Sequence, residues 1–340
     1  FDVSDLDEAD DEKDAGDAED GGDTDHDGSD ANHDGSDAGG QRVGERIAGA
    51  SEDGVYEALD MAPVPPELRE DNGEVAAAAE RDLPDLVETD AIRGDLHTHT
   101  EWSDGGFAIA EMVEAAAARG YGFHAVTDHA AGPGIFGNTG LDEAEIAEQT
   151  DAIAAAVDAV DGAVTADESD DPDADIAVLH GIEANIDAEG AITTDDATLA
   201  DLDLVVASPH SALGQDPEAA TERLIRAVEH PHVDILGHPT GRIINSRPGV
   251  SPDVEAVVAA AAEAGTAIEV NANPARLDAD GDFVRAAIEA DATIAINTDA
   301  HSPRELDNAR YGVHTARRGW AEATDVLNTR SVDGLRAFLE

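Results

Sequence analysis

The chain of 340 residues has no cysteine, two methionines, one lysine (Lys13) and 3% aromatic residues, and its 19 basic side chains face 78 acidic ones. Each shortage excludes something. Without cysteine there is no disulfide framework and no thiolate metal or redox centre, so any bound metal must be held by histidine and carboxylate. No apolar run approaches the roughly 20 residues that cross a bilayer, and no signal peptide opens the chain. A soluble, cytoplasmic protein with no membrane partner is therefore expected. No Walker A loop is present and no GxGxxG turn follows the first predicted strand, which removes the common Gly-rich phosphate cradles. The loss of lysine, a net charge of -59 and an abundance of alanine together read as halophilic adaptation. At molar salt the Debye length is about 3 Å, so this net charge excludes neither a phosphoester nor a nucleic acid as substrate.

What is present is unevenly distributed. Residues 1–41 hold 17 Asp and Glu and almost no large apolar side chains, which predicts a disordered acidic tract where His26 and His33 have no fixed geometry. Because the chain opens on Phe1, a fragment or a processed product is expected. Residues 42–91 read as a helical linker: Ile47, Val55 and Leu59 fall at helical spacing, followed by Pro63, Pro65, Pro66 and a turn at Asn72-Gly73. From Ile92 short apolar runs alternate with amphipathic stretches. Strands are predicted to end at His97, Thr127, Glu183, Ser208, His238, Asn271 and Thr298, with helices near 107–119, 141–160, 216–229, 252–264, 281–290 and 331–339. The connection after the third strand has no obvious helix, and 165–175 reads as an acidic surface loop. Seven strands in series, without a Gly-rich turn after the first, predict an α/β fold, a distorted (β/α)7 TIM-like barrel over 92–340.

The informative fact is where the histidines fall. Of 13, six lie at or just past a predicted strand end: His97, His99, His129, His210, His238 and His301. In a barrel those ends converge on one face, and Asp104, Glu183 and Asp299 join them there. His97 and His99 are two apart, so a strand turns both to one side; Asp299 and His301 repeat the spacing. Glu183 offers two oxygens and can bridge cations. This His and carboxylate set exceeds what one ion uses, and its chemistry suits two or three divalent ions, Mn²⁺ or Zn²⁺ better than Mg²⁺ alone. His124 and His180, inside strands, are expected to pack or to support the ligands, while His230, His232 and His314 fall on turns or surfaces. Asp128 is expected to orient an imidazole. Arg242, four residues after His238, is expected to reach the mouth and clasp phosphate, with Arg247 and Arg276 as further candidates and Asn271 and Asn273 lining the pocket.

The runs Asp95-Leu96-His97-Thr98-His99-Thr100, Ser103-Asp104-Gly105, Thr127-Asp128-His129, Gly181-Ile182-Glu183, Ser208-Pro209-His210, Gly237-His238-Pro239 and Asn297-Thr298-Asp299-Ala300-His301 resemble the polymerase and histidinol phosphatase (PHP) superfamily over about 92–339. More narrowly, Val64-Pro65-Pro66-Glu67-Leu68-Arg69-Glu70, Glu269-Val270-Asn271-Ala272-Asn273-Pro274 and Thr315-Ala316-Arg317-Arg318-Gly319-Trp320 are similar to the C-terminal half of family X DNA polymerases of haloarchaeal type. The resemblance implies three metals. His97, His99, Glu183 and Asp299 would hold the first, Glu183, His210 and His238 the second, and Asp104, His129 and His301 the third. It also implies that 42–91 is the end of a polymerase thumb, with a polymerase domain upstream.

The implied function is metal-dependent phosphoester hydrolysis, as a 3′–5′ exonuclease on single-stranded DNA ends in repair. A small-molecule phosphomonoesterase of histidinol-phosphatase type is the alternative enzyme, and a noncatalytic scaffold for the polymerase domain the alternative outside enzymes. Amidohydrolases share the opening HxH and the closing Asp, but a carboxylated-lysine bridge is excluded because Lys13 is the sole lysine. Trp102, Phe107, Phe136 and Trp320 are aromatic side chains that could stack a base, with packing as the plainer role for each.

Overall fold

The computed structural model describes residues 51–135, 139–165 and 176–340. The acidic tract 1–41, Phe136 and most of the acidic loop 165–175 lie outside the described residues.

The strands are β1 (Gly94–Asp95), β2 (Phe123–Val126), β3 (Ala163–Thr165), β4 (Ile176–Asn185), β5 (Leu204–Ser208), β6 (Ile235–Leu236), β7 (Ala267–Asn271) and β8 (Ile294–Asn297). All pair in parallel, in the order β1-β2-β4-β5-β6-β7-β8, with β3 flanking the start of β4. A parallel bridge between Thr98 and Ala300 brings the two ends together. The seam is tied by Asp95, which accepts hydrogen bonds from the Thr298 hydroxyl (2.5 Å) and amide (3.3 Å). The result is a nearly closed seven-stranded barrel, as expected, with one short extra strand.

Helices α3 (Ile109–Ala117), α4 (Glu143–Ala159), α6 (Pro217–Val228), α7 (Val254–Ala264), α8 (Gly281–Glu289) and α10 (Val332–Leu339) fall where the periodicity puts them. Several use the acidic excess as caps: Asp142, Asp216, Asp253 and Asp280 each accept backbone N–H bonds in the first turn that follows. The connection after β4 does contain a helix, the single turn α5 (Asp196–Leu199), capped by Asp195. Helix α9 (Ala309–Arg318) is not apparent in the sequence, because its buried stripe is Ala309, Gly312, Val313 and Ala316. Small residues are needed there, since a Cβ on Gly312 would lie 2.6 Å from Ile296 and 2.9 Å from Ala272.

Two apolar layers result. The outer one packs strand faces against the helices, from Met112 and Ile153 to Val257 and Val313. The inner one fills the barrel with Leu96, Phe123, Leu179, Leu204, Val206 and Ile235, closed from below by Leu327 and Leu335. Ahead of the barrel, α1 (Glu52–Ala58) and α2 (Glu74–Glu80) belong to a third cluster of Val64, Leu68, Ala78 and Leu86, against which Trp320 packs. Glu67 bonds Arg317 (2.9 Å) and Arg318 pairs with Glu70. Two separate sequence motifs, Val64–Glu70 and Thr315–Trp320, are therefore one packed contact.

Candidate metal centre

All nine predicted ligands meet at the C-terminal mouth of the barrel. Glu183, on the inward face of β4 and fully buried, is the hub. Its Oε1 lies 2.8 Å from His238 Nε2, 3.1 Å from His210 Nε2 and 3.4 Å from His97 Nε2, and its Oε2 lies 2.5 Å from His129 Nδ1. Asp299 Oδ1 is 3.1 Å from His99 Nε2, and Asp104 Oδ1 is 3.1 Å from His301 Nε2 and 3.5 Å from His129 Nε2. Donor atoms within 4.8 Å of one another form three groups: His97, His99 and Asp299; His129, Glu183 and His210; and His99, Asp104, His129 and His301. The grouping differs from the expected one in that His129 stands between two groups, while His238 joins through Glu183 alone.

The chemistry of these atoms fits cations. His97 Nε2, both nitrogens of His99, His210 Nε2 and Glu183 Oε2 are buried without a hydrogen bond among the described residues. Buried polar atoms are otherwise paired almost without exception. Three rings are held so that the unpaired nitrogen faces inward. His97 Nδ1 donates to Glu269 Oε1 (2.7 Å). His210 Nδ1 donates to Asn185 Oδ1 (2.7 Å), whose own Nδ2 is committed to the Ala130 carbonyl. His301 Nδ1 donates to the Asp299 carbonyl (2.9 Å). In each case the partner can only accept, so Nδ1 keeps its proton and Nε2 is the nitrogen left to face a cation.

Burial alone would lower every imidazole, yet the carboxylates of Glu183 and Asp104 lift His129 to about 10, and Asp104 and Asp299 lift His301 to about 9. His99 and His238 lack enough compensation and fall to about 4: burial dominates, assisted by His129 beside His99 and Arg276 beside His238. The backbone is also unusual here, since His238 (φ 22°) and Asp299 (φ 53°) have left-handed angles. Such strain, on the order of 1–3 kcal/mol each, persists where the surroundings enforce it.

The expected helpers fare less uniformly. Asp128 does not orient a ring; it accepts from Thr100 N (2.7 Å), Thr100 Oγ1 (2.6 Å), Ser103 Oγ (2.5 Å) and Gln149 Nε2 (2.7 Å), and so fixes the loop carrying Asp104. Within that loop Gly105 has no room for a side chain, as a Cβ would sit 2.6 Å from the His99 carbonyl. Arg242 points away from the mouth into a neighbouring hollow with Thr240, Pro248 and Leu277. The chain reverses at Gly241 (φ 63°), and Ile243 pairs back on Arg247. It is Arg247 and Arg276 that line the ≈ 560 Å³ cleft with Asp104, His129, His210 and His301. Arg276 Nε lies 3.2 Å from Asp299 Oδ2. Asn273 lines the same cleft, and Asn271 bonds Glu269 and Asp299 behind it. His124 and His180 bond Thr98 and Thr150, while His230 and His314 face surface carboxylates.

Glu269 opens one of the family motifs but is not among the residues expected at the site. It also accepts from His238 N (2.6 Å), Asn271 Nδ2 and Asn297 Nδ2 (both 3.1 Å). Its signal was legible in β7, where an acid interrupts the apolar run Ala267-Ile268-Glu269-Val270 on the inward face.

A parallel barrel whose mouth gathers imidazoles and carboxylates around one buried glutamate is a scaffold for a metal-dependent hydrolase. A model of the PHP domain matches residues 95–273, and the chain belongs to that family. It is 38% identical over 298 residues to the DNA polymerase/3′-5′ exonuclease PolX of Bacillus subtilis (strain 168), covering 88% of this chain and 49% of that protein. The chain thus spans about half the length of this relative. A probable phosphatase of Caldanaerobacter subterraneus subsp. tengcongensis is 30% identical over 263 residues, 72% of this chain and 90% of its own. A looser likeness, TM-score 0.45 at 16% identity over 66% of this chain and 93% of the other, is to the histidinol phosphate phosphatase of Lactococcus lactis complexed with zinc, L-histidinol and phosphate. No helix among the described residues is long and apolar enough to cross a membrane.

Proposed function

We propose that the chain is a divalent-metal-dependent phosphoesterase that trims single-stranded DNA from the 3′ end, as the C-terminal part of a family X DNA polymerase active in repair. The carrying observation is the convergence of nine His, Asp and Glu side chains at one mouth, where buried donor atoms of His97, His99, His210 and Glu183 have no hydrogen bond among the described residues. The substrate rests on the similarity to the Bacillus protein, which extends over 88% of the chain and includes the segment packed on α9. Three ions, Mn²⁺ or Zn²⁺, are proposed on the ligands given above, with Glu183 shared between two of them and His129 able to serve either neighbouring group. A divalent cation there supplies a Lewis acid that activates water and offsets phosphoryl charge.

The protein's own residues do the rest. Glu269, Asn185 and the Asp299 carbonyl hold three imidazoles in the tautomer that binds metal. Asp128 keeps Asp104 in place through Thr100 and Ser103. Arg276 and Arg247, at the cleft, take the phosphate-binding role expected of Arg242, because a guanidinium matches two phosphate oxygens at once. The acidic, lysine-poor composition is assigned to halophilic adaptation. A second reading, a small-molecule phosphomonoesterase, is favoured by the Caldanaerobacter relative, 90% of which is matched.

A Mn²⁺-supplemented assay in concentrated KCl separates the two, with a 5′-labelled single-stranded oligonucleotide run beside histidinol phosphate. Stepwise shortening from the 3′ end is expected. Phosphate release from histidinol phosphate, with the oligonucleotide intact, would overturn the exonuclease.

A further inference from the structure

Beyond the metal cleft, a groove of ≈ 1110 Å³ runs between the segment entering β1, the turn from α3 to β2 and the start of α9. A second hollow of ≈ 570 Å³ joins it, since Asp307 and Arg310 line both. This second hollow is also lined by Pro274 and Ser302, the immediate chain neighbours of Asn273 and His301, which line the metal cleft. The cleft and the second hollow share no lining residue but are bounded by adjacent ones, so the three hollows follow one another as a track from the cleft around the start of α9.

The track reverses the chemistry of the rest of the chain. Arg93, Arg119, Arg304, Arg310 and Arg330 line its two outer hollows against Asp90, Glu305 and Asp307, whereas the whole chain has 78 acids to 19 bases. Two of those acids are engaged. Asp307 pairs with Arg119 at 2.7 Å, and Glu305 accepts the His301 amide at 2.7 Å. Arg93 and Arg304 are exposed and have no side-chain hydrogen bond or ion pair among the described residues. The Arg310 guanidinium lies over the ring of Tyr311, 4.8 Å from its centroid, and donates to its hydroxyl (2.9 Å), while Tyr311 as a residue is 40% exposed.

Guanidinium groups at intervals with an exposed aromatic face beside one of them suit alternating phosphates and bases. Short-range bidentate contacts and stacking also persist at molar salt, where attraction beyond about 3 Å is screened. An acidic peptide would satisfy the arginines but gives no reason for an exposed tyrosine among them or for the succession of hollows from the cleft. We propose that this track holds the backbone of a single-stranded polynucleotide whose 3′ end lies in the metal cleft, with Tyr311 stacking one of its bases. The proposal rests on the exonuclease reading and adds the path of the strand.

The test is fluorescence anisotropy of a labelled oligothymidylate long enough to span the track, in EDTA, at the lowest salt that preserves the native melting curve. The 340-residue chain is compared with the double variant Arg93→Glu/Arg310→Glu and with Tyr311→Ala. Charge reversal is expected to weaken binding by about tenfold or more, and Tyr311→Ala by about fivefold or more. Hydrolysis of bis(p-nitrophenyl) phosphate, which occupies the cleft alone, should stay at the wild-type rate. Unchanged oligonucleotide binding in both variants overturns the proposal; equal loss on the small ester would indicate a fold defect, and Arg93→Gln/Arg310→Gln then repeats the test, with unchanged binding in that folded variant overturning it. A synthetic peptide of residues 1–41 that binds wild type in place of the oligonucleotide overturns it in favour of an acidic protein segment. Oligonucleotide binding that depends on the track, in a protein that hydrolyses only small phosphomonoesters, would remove the exonuclease and leave the track. Trimming by wild type with unaltered binding in the variants would do the reverse.

Discussion

The inner face of the barrel has two halves built from the same strands. On β4 the inward positions are Ala177 and Leu179 below, then Glu183 and Asn185 above; on β7 they are Ala267, then Glu269 and Asn271; on β8, Ala295, then Asn297. The lower half is filled by apolar side chains almost wholly removed from water. Each of its Leu, Val, Ile and Phe side chains contributes on the order of 1.5–3 kcal/mol by burial. The upper half buries charged and polar groups, leaves ring nitrogens unpaired and places His238 and Asp299 at left-handed angles. Desolvation and strain there cost free energy that the lower half offsets. One strand can serve both ends because alternation keeps its facing constant while side-chain chemistry changes along its length.

If this division holds, substitutions in the two halves should separate activity from stability. The largest effect is expected for Glu183→Gln. Losing the shared carboxylate should reduce hydrolysis by roughly 10³-fold and lower the metal content found by elemental analysis. The chelated protein should stay folded with only a modest change in melting temperature, because His129, left without its buried counter-charge, can shed its proton. Unchanged activity would show that the cup is not its source. Phe123→Ala, in the lower half, should lower unfolding free energy by about 3–5 kcal/mol in a denaturant titration while the folded fraction keeps its full metal complement. A proportional loss of metal would erase the distinction between the halves.

A smaller effect is expected from Glu269→Gln, which touches His97 but is not itself a proposed ligand. Metal affinity should weaken by about 10–100-fold, read from competition with a chromogenic chelator, with little change in melting temperature. A large melting shift with intact affinity would make Glu269 a structural residue. Smallest is the proton count. His129 and His301, lifted to about 10 and about 9 without cations, carry protons at neutral pH, and a cation needs their lone pairs. Metal uptake should therefore release protons, with affinity rising as pH approaches those values. Calorimetry in buffers of different ionisation enthalpy checks this, and a heat independent of buffer would contradict it.

Much of this was legible in sequence, for identifiable reasons. The barrel strands and helices α3, α4, α6, α7, α8 and α10 announced themselves through apolar runs and amphipathic spacing. The nine candidate ligands did so through their position at strand ends. Helix α9 did not, because its buried stripe is made of small residues and a mid-helix glycine that hydropathy barely registers. Strand β3 was too short, at three residues, to stand out beside an acidic loop. Arg242 was misplaced because distance along a chain does not survive a turn such as Gly241, which sends the following residues in a new direction.

By itself, then, the sequence determined the barrel, the family and which residues are candidates for the ligand set, since strand period and residue type are properties of short local segments. The tertiary structure alone decided which side chains face one another. It placed Glu269 behind His97, gave Asp128 to a loop instead of a ring, exchanged Arg242 for Arg276 and Arg247 at the cleft, and drew Arg93, Arg310 and Tyr311 into one track. Those pairings join residues far apart in the chain, and only closure of the barrel brings them within hydrogen-bonding or ionic reach.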